Sequence, residues 1–497
     1  MPPTSQSPPL ASILVARFLR TNNYAETLNS FIREAGLPAD AGQVTDNQEG
    51  TNWTIESVLE EKKAFDQTLG FERYGEDEND EWSVPAPSNP KIIETPTSSN
   101  ILACSVDPWR HSNSNEDNQD TTSSRLIATG ADKQLHLFKT EADNAIFSSL
   151  PGLSESPILS YVSIRNGEYV CLTNMSGQLL LQRNAEILDK RKDHAKYAVK
   201  VVAFEEDDDN DSPQRPIWVA TAGWDSKIHL YRLDIPDSDS DSDSDSVAIG
   251  EPIACITLAS NPESLLFVQH PDTKELLLLV SRRDSTHLYY YRVQQQQQQQ
   301  QLQQGPSSTP YECTLLGKQN LAPHSNAWIA FSPSCLALSP HDPGLLAVAT
   351  STLPHMKVII VRLLFPSTDS LDASASGPQP ETQATQAFAA LSLQNREDAA
   401  IVIQANTFAP QTAYSTPQVV WRPDGSGVWV NGDDGVIRGV EARTGKVVTV
   451  LKEGHVVGSK IRTIWAGWVD ALRDGEVVRE EWLVSGGFDK RLIVWKA

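Results

Sequence analysis

Two periodicities divide the 497-residue chain. Between residues 10 and 71 apolar side chains recur at three- and four-residue steps: Leu14, Val15, Phe18 and Leu19 form one stripe, and Tyr24, Leu28, Phe31, Ile32 and Ala35 a second. A third stripe, Ile55, Val58, Leu59, Phe65 and Leu69, follows Thr54 and predicts a helix over 55–69. This spacing places the apolar positions on one side of each helix. Asn23 with Glu26 three residues on predicts a capping-box variant at the start of the second helix, and Gly36 with Pro38 ends it. Helices this short do not cover their own stripes, so the module needs a partner surface. Residues 1–9, rich in Pro and Ser, predict a disordered tail, and 72–90 a linker.

From residue 101 the pattern becomes short apolar runs separated by turns, and the runs repeat. LIATGADKQLHLF (126–138), WVATAGWDSKIHLY (218–231) and WLVSGGFDKRLIVW (482–495) each read as a strand, a tight turn ending in Asp, and a second strand closing on an aromatic. Weaker copies at 169–181, 276–291, 345–363 and 428–440 fill the intervals. Each copy follows its own inner-strand candidate: 101–106, 158–164, 199–204, 265–269, 328–331, 419–421 and 461–465. These seven units predict a mainly β, seven-bladed propeller over 91–497. Insertions are expected at 110–123, 205–214, 234–249, 294–310 and 365–399, read as low-complexity loops. The last unit has only three strands before Ala497, leaving an open edge, and KIIET at 91–95 is the expected fourth strand.

The helical segment resembles the LisH motif, a short dimerisation module, through Leu14, Phe18, Leu19, Tyr24, Thr27, Phe31 and Glu34, with Asn23 where that family usually has Gly. The resemblance implies a homodimer held by Leu14, Phe18, Leu19, Tyr24, Leu28 and Phe31. The repeats resemble the WD40 family. The last copy carries Gly454-His455, Ser485, Asp489 and Trp495 at that family's positions, which implies a structural hydrogen-bond network within the blade. Proteins resembling this combination are assembly platforms: corepressor, ubiquitin-ligase or dynein-regulator subunits.

Charge and chemistry narrow the reading further. With 41 Lys and Arg against 64 Asp and Glu, the net charge of -23 repels phosphate backbones and acidic lipids, so neither nucleic acid nor membrane is an expected partner. Two acidic stretches, 205–211 and 234–245, bracket the third blade and predict solvated loops, and the alternating Asp and Ser of 237–246 are a context for serine phosphorylation. The five cysteines are scattered and form no paired motif, and the chain predicts an intracellular protein of the cytoplasm or nucleus. The ten histidines show no metal-ligand spacing, and His136 and His229 are expected as half-exposed strand residues. No phosphate-binding loop, dinucleotide fingerprint or nucleophile elbow is present. Catalytic, cofactor and metal residues are therefore not expected.

In a propeller blade with strands A to D from the centre outward, A–B and C–D connections share one face and B–C and D–A the other. All five insertions fall on the first face. The short-turn face carries Lys133, Trp224, Phe488 and Arg491, the expected protein-partner anchors, since Trp and Arg concentrate binding energy. The competing reading is a propeller enzyme with a site in the central channel, which requires converging acids or histidines on inner strands that read as nearly all apolar.

Overall fold

The computed structural model describes residues 10–43, 54–57, 82, 84–111, 121–141, 143–205, 216–235, 247–295, 311–323, 331–366, 383–473 and 476–497. The tail 1–9, most of the expected helix 55–69, and most of the expected insertions lie outside the described residues. The chain divides into two compact units, residues 1–71 and 72–497.

In the first unit, helices α1 (Leu10–Thr21) and α2 (Ala25–Glu34) form a hairpin. Ala16, Leu28, Leu37 and Ala41 are buried between them and the segment that follows, with Leu19, Phe31 and Ile32 packed alongside. Asn23 does not cap α2. It takes the left-handed conformation (φ 63°) and ends α1 instead, with Asn23 N–H donating to Arg20 O at 3.2 Å and Tyr24 N–H to Leu19 O at 2.9 Å. Tyr24 takes the N-cap position and makes no side-chain capping bond. A two-residue turn needs a left-handed residue at its apex more than it needs a capping oxygen, and Asn supplies it. Gly36 (φ 63°) ends α2 in the same way, with Leu37 N–H donating to Ile32 O. Further on, Thr54 and Ser57 exchange capping hydrogen bonds around the helical turn at 55–57.

The second unit is a seven-bladed β-propeller of seven four-stranded antiparallel sheets. Blade 1 holds β2 (Ile101–His111), β3 (Thr121–Gly130), β4 (Leu135–Lys139) and β5 (Ile146–Leu150). Blade 2 holds β6 (Ile158–Ile164), β7 (Tyr169–Asn174), β8 (Leu179–Arg183) and β9 (Glu186–Arg191). Blade 3 is built from β10 (Ala198–Glu205), β11 (Pro216–Gly223), β12 (Lys227–Asp234) and β13 (Ala254–Thr257), and blade 4 from β14 (Pro262–Gln269), β15 (Leu276–Arg282), β16 (His287–Gln295) and β17 (Tyr311–Asn320). Blade 5 contains β18 (Pro333–Leu338), β19 (Leu345–Thr350), β20 (His355–Arg362) and β21 (Ile401–Pro410). Blade 6 contains β22 (Val419–Trp421), β23 (Gly427–Val430), β24 (Ile437–Glu441) and β25 (Val447–Leu451). Blade 7 has β26 (Ile461–Arg473), β27 (Glu476–Gly487) and β28 (Leu492–Lys496), and its outer strand is β1 (Asn89–Ile93).

Alternation along the strands explains the packing: side chains on both faces of a blade meet a neighbouring blade, so the middle strands are apolar throughout. Seven apolar clusters result, each between two consecutive blades. The cluster between blades 7 and 1 includes Ile93 of β1 with Leu492, Val494, Val484 and Phe138, so the closing strand contributes core as well as hydrogen bonds.

Several expectations are corrected here. The closing strand is 89–93, two residues before the expected 91–95, with Lys91 opposite Val494 and Asn89 opposite Lys496. Trp82 and residues 84–88 do not behave as a linker. Trp82 lies with its ring 5.6 Å from Trp429 and under the Arg422 guanidinium at 4.6 Å, and Val84 O and Pro85 O accept from Arg422. Trp82 fits because Gly427 and Gly439 leave room: a Cβ on either would stand about 2.5 Å from the indole. The inner strand of blade 5 is Pro333–Leu338, not 328–331; Phe331 is core, but small residues such as Ser334 and Ala337 make the strand. The expected insertion 365–399 contains α3 (Gln383–Ala400), whose Glu397 is buried and accepts from the Asn320 backbone N–H, and whose Gln394 donates to Pro323 O. The insertion 234–249 is trimmed too, because Ile235 and Ile249 belong to the core between blades 2 and 3.

Candidate functional site

The inner strands surround a central channel of about 480 Å³. Its lining is more polar than the sequence suggested. Ser105, Asp107 and Tyr161 form a linked group, with Tyr161 bonded to Ser105 at 2.6 Å, while Lys200, Arg462, and the ion pair Arg283–Glu263 at 2.8 Å add charge. Alternate residues of each inner strand point into the channel and not into a neighbouring blade, so polar residues are tolerated there. Burial holds the Asp107 carboxyl above its ordinary range. It also pushes the Cys104 thiol up to about 12, against the weaker effect of its hydrogen bond to Thr463, so this channel-facing cysteine is a poor nucleophile.

On the short-turn face the four expected anchors occupy different situations. Trp224, in the B–C turn of blade 3, is 42% exposed and its ring lies 5.1 Å from that of Tyr197, itself 40% exposed, at the mouth of the channel. Phe488, in the B–C turn of blade 7, is 44% exposed. Lys133 is exposed at the turn of blade 1 in a left-handed conformation. Arg491 differs: it is half-buried and donates to Gly454 O, so its guanidinium holds the loop before blade 7. In the helical unit, Leu28 is buried, Leu14, Phe18, Leu19 and Phe31 are half-buried, and Tyr24 is exposed with its ring 6.4 Å from Phe18.

Behind this face lie buried hydrogen-bond networks. In blade 7, His455 Nδ1 donates to Asp489 (3.0 and 3.1 Å), Ser485 Oγ donates to His455 Nε2 at 2.8 Å, and Trp495 Nε1 donates to Ser485 Oγ at 2.9 Å. The order Ser–His–Asp imitates a hydrolase triad. The serine, however, is fully buried inside β27 and its oxygen already accepts from the indole, so no substrate carbonyl reaches it. Burial pushes the Asp489 carboxyl up, but the hydrogen bond and charge of His455 and the backbone N–H groups of Val456 and Arg491 outweigh it and hold the carboxyl below the usual range.

Blade 3 repeats this arrangement with residues that the sequence pattern did not single out. His194 Nδ1 donates to Asp225 at 3.0 Å, Thr221 Oγ1 donates to Nε2 at 2.9 Å, and Tyr231 stands where blade 7 has Trp495. Blade 1 uses a different histidine: His136, four residues after Asp132, bonds Asp132 at 2.8 Å and Ser149 at 2.8 Å. Both His136 and His229 are buried, not half-exposed, because strand C lies between its blade's outer strand and the neighbouring blade. His194 escaped notice because KDHAKYA carries no Gly-His pair, and only its distance upstream of Thr221 and Asp225 betrays it. His194, Asp225 and His229 bring ligand atoms within 4.8 Å of one another.

Comparison with known families gives two matches: UCP007778, LisH domain, over residues 11–41, and UCP007778, beta-propeller domain, over residues 116–496. No curated protein matches the chain. The first match ends at Ala41, the last residue of the small helical core, and the second begins within blade 1, spans blades 2 to 6 and takes in the three C-terminal strands of blade 7, leaving out its closing strand β1.

Proposed function

We propose that this chain, which belongs to the UCP007778 family of proteins joining a LisH domain to a β-propeller, is a non-enzymatic scaffold that self-associates through its helices and captures a protein partner on the short-turn face. The observation that carries the reading is the Trp224–Tyr197 pair: two large aromatics, each about two-fifths exposed, held on turns of a rigid scaffold beside the channel mouth. Aromatic anchors on pre-organised turns bind without the cost of ordering a loop. Lys133 lies on the same face two blades away in the ring order and Phe488 three blades away, and Arg491 supports that face from beneath. Corepressor, ubiquitin-ligase and dynein-regulator assemblies are the classes in which such a platform is used, and a cytoplasmic or nuclear setting follows from them. No helix among the described residues is long and apolar enough to cross a membrane.

Against catalysis stand the raised Cys104 thiol and the closed Ser485 network. For self-association stands the thin helical core, with Leu14, Phe18 and Phe31 only half-covered. Two measurements test the proposal. Affinity capture with the full chain should recover a stable partner set, and Trp224→Ala should weaken binding of the recovered partner by about 2 kcal/mol or more. Light scattering should give the full chain at least twice the mass expected for one copy, and Phe18→Glu with Phe31→Glu should halve it. Retained capture by Trp224→Ala combined with Phe488→Ala would remove the face from the proposal, and a monomeric full chain would remove the dimer.

A further inference from the structure

We propose that blade 3 holds a divalent metal ion of the zinc class through His194, Asp225 and His229, with Cys255 as the fourth ligand. The three chemistry-bearing groups already converge, with ligand atoms within 4.8 Å of one another. A tetrahedral ion with nitrogen and oxygen ligands at about 2.0–2.2 Å and sulfur at about 2.3 Å sets its ligand atoms roughly 3.4 Å apart, so small side-chain adjustments close the site.

His229 is the independent sign. It is 6% exposed, and neither Nδ1 nor Nε2 has a hydrogen-bond partner. An imidazole buried with both nitrogens idle forfeits its hydration with nothing in return, and such groups are rare in folded proteins. Its ring stands edge-on to His194 with centroids 4.7 Å apart, so the idle nitrogens belong to the same small volume as the His194–Asp225 pair.

Comparison among blades shows how unusual the position is. Four residues after the turn aspartate, blade 7 places Ile493 in its core, so the fold itself asks for no polar group there. Blade 1 places His136 and satisfies both its nitrogens, one with Asp132 and one with Ser149, its directly opposite partner on strand D. In blade 3 the aspartate is taken by His194, and the residue directly opposite His229 on strand D is Cys255. Directly opposed residues of an antiparallel pair project from the same side of the sheet. The position that supplies a hydroxyl to the histidine in blade 1 is therefore a cysteine in blade 3; Cys255 is exposed and stands outside the converging trio, so its thiol must turn inward to complete a zinc donor set of two imidazoles, a carboxylate and a thiol.

Loading asks Cys255 to turn inward and His194 to change tautomer. His194 would give its Nδ1, the nitrogen now directed at Asp225, to the metal, and its proton would move to Nε2, which then donates to Thr221. Thr221 Oγ1 serves equally as donor or acceptor, so it fixes the ring in either tautomer. Asp225 keeps its second oxygen on the Ala195 N–H at 2.9 Å. Cys255 coordinates as a thiolate and releases one proton.

The test uses the full chain, freed of metal by a chelator and titrated with zinc alone in competition with a chromophoric chelator, and separately with cobalt. The expected result is one tight equivalent of zinc, a tetrahedral cobalt spectrum with a thiolate charge-transfer band, and a rise in melting temperature on loading. His229→Ile, which installs the residue of blade 7, should keep the fold and weaken the tight equivalent by about 100-fold or more, beyond the loss typical of outer-shell partners. Cys255→Ser should abolish the charge-transfer band. His136→Ile in blade 1 should leave zinc binding unchanged. Absence of a tight equivalent in the wild-type chain, or its survival in His229→Ile, overturns the proposal, and a charge-transfer band that survives Cys255→Ser overturns the place of the thiolate.

Discussion

Blades 7 and 3 are built on one plan and secured in different ways. Each joins a histidine from the preceding loop to a turn aspartate and a strand-B hydroxyl: His455, Asp489 and Ser485 in one, His194, Asp225 and Thr221 in the other. Blade 3 draws all four strands from one stretch of chain, whereas blade 7 takes its outer strand β1 from the opposite end of the propeller. Blade 7 adds a closed histidine network and a buried ion pair. Trp495 closes its network, and Arg422 from blade 6 bonds Glu481 at 2.6 and 3.0 Å with no exposure to solvent. Blade 3 leaves a buried imidazole open. The difference teaches that a blade closed by a borrowed strand is held by a buried ion pair and a closed network even with the indole N–H groups of Trp82 and Trp429 unbonded beside it, whereas a contiguous blade carries its open group, an imidazole, against the histidine network itself.

The largest break in this comparison removes the borrowed strand. Deleting residues 1–94 takes away β1 and Trp82 and leaves β28 as an unpaired edge, so the product should aggregate or melt far below the full propeller. Deleting residues 1–81 keeps both and should melt with the full chain. Calorimetry and turbidity on the two truncations check this, and equal melting of both would show that blade 7 does not depend on β1.

Next in size is the ion pair at the joint. Arg422→Ala leaves Glu481 buried and unpartnered and removes the cation over Trp82, a change expected to cost about 3–5 kcal/mol. Replacing Arg422 and Glu481 together by Met and Leu should cost much less, because the uncompensated charge disappears with its partner. Urea unfolding of the single and double variants measures the gap. Within the blade, His455→Leu strands Asp489 and Ser485 and should cost about 1–3 kcal/mol. His229→Ile in blade 3, without metal, should be neutral or stabilising, since it removes a buried group that has no partner.

The sequence made this architecture legible wherever a pattern spans neighbouring residues. Strand periodicity located all seven blades, five of them also marked by an Asp in the turn, because a blade buries both faces and its apolar runs are unmistakable. It failed where the chain departs from that economy. Ser334, Cys335 and Ala337 form an inner strand of small residues, so Trp328 and Phe331 drew attention away from it. Trp82 looked like part of an acidic linker because its partners, Arg422, Gly427 and Gly439, are more than 300 positions away. The same distance problem hid the blade 3 site. His194, Asp225 and His229 have no motif spacing and only the fold brings them together, while strand register alone adds Cys255. The exposed aromatics Trp224 and Phe488 were visible because an aromatic beside a turn aspartate serves no strand.

The smallest effect concerns acid. Asp489 is held below the usual carboxylate range in the folded chain even though burial alone would raise it, because His455 and two backbone N–H groups favour the ionised form. The unfolded chain titrates this group near pH 3.9. A depressed folded value contributes stability that is fully present above about pH 4 and is lost as pH falls through the folded value. Asp132 of blade 1 is depressed in the same sense: burial opposes it, and hydrogen bonds from Thr97 and His136 overcome it. Asp489→Asn should therefore lower stability at neutral pH while flattening its decline below about pH 4. Urea midpoints measured across that range should show a shallower slope for the variant than for the wild-type chain. Parallel slopes would mean that Asp489 does not carry its share of the acid sensitivity, and that blade 7 is held at low pH by β1 and the Arg422–Glu481 joint alone.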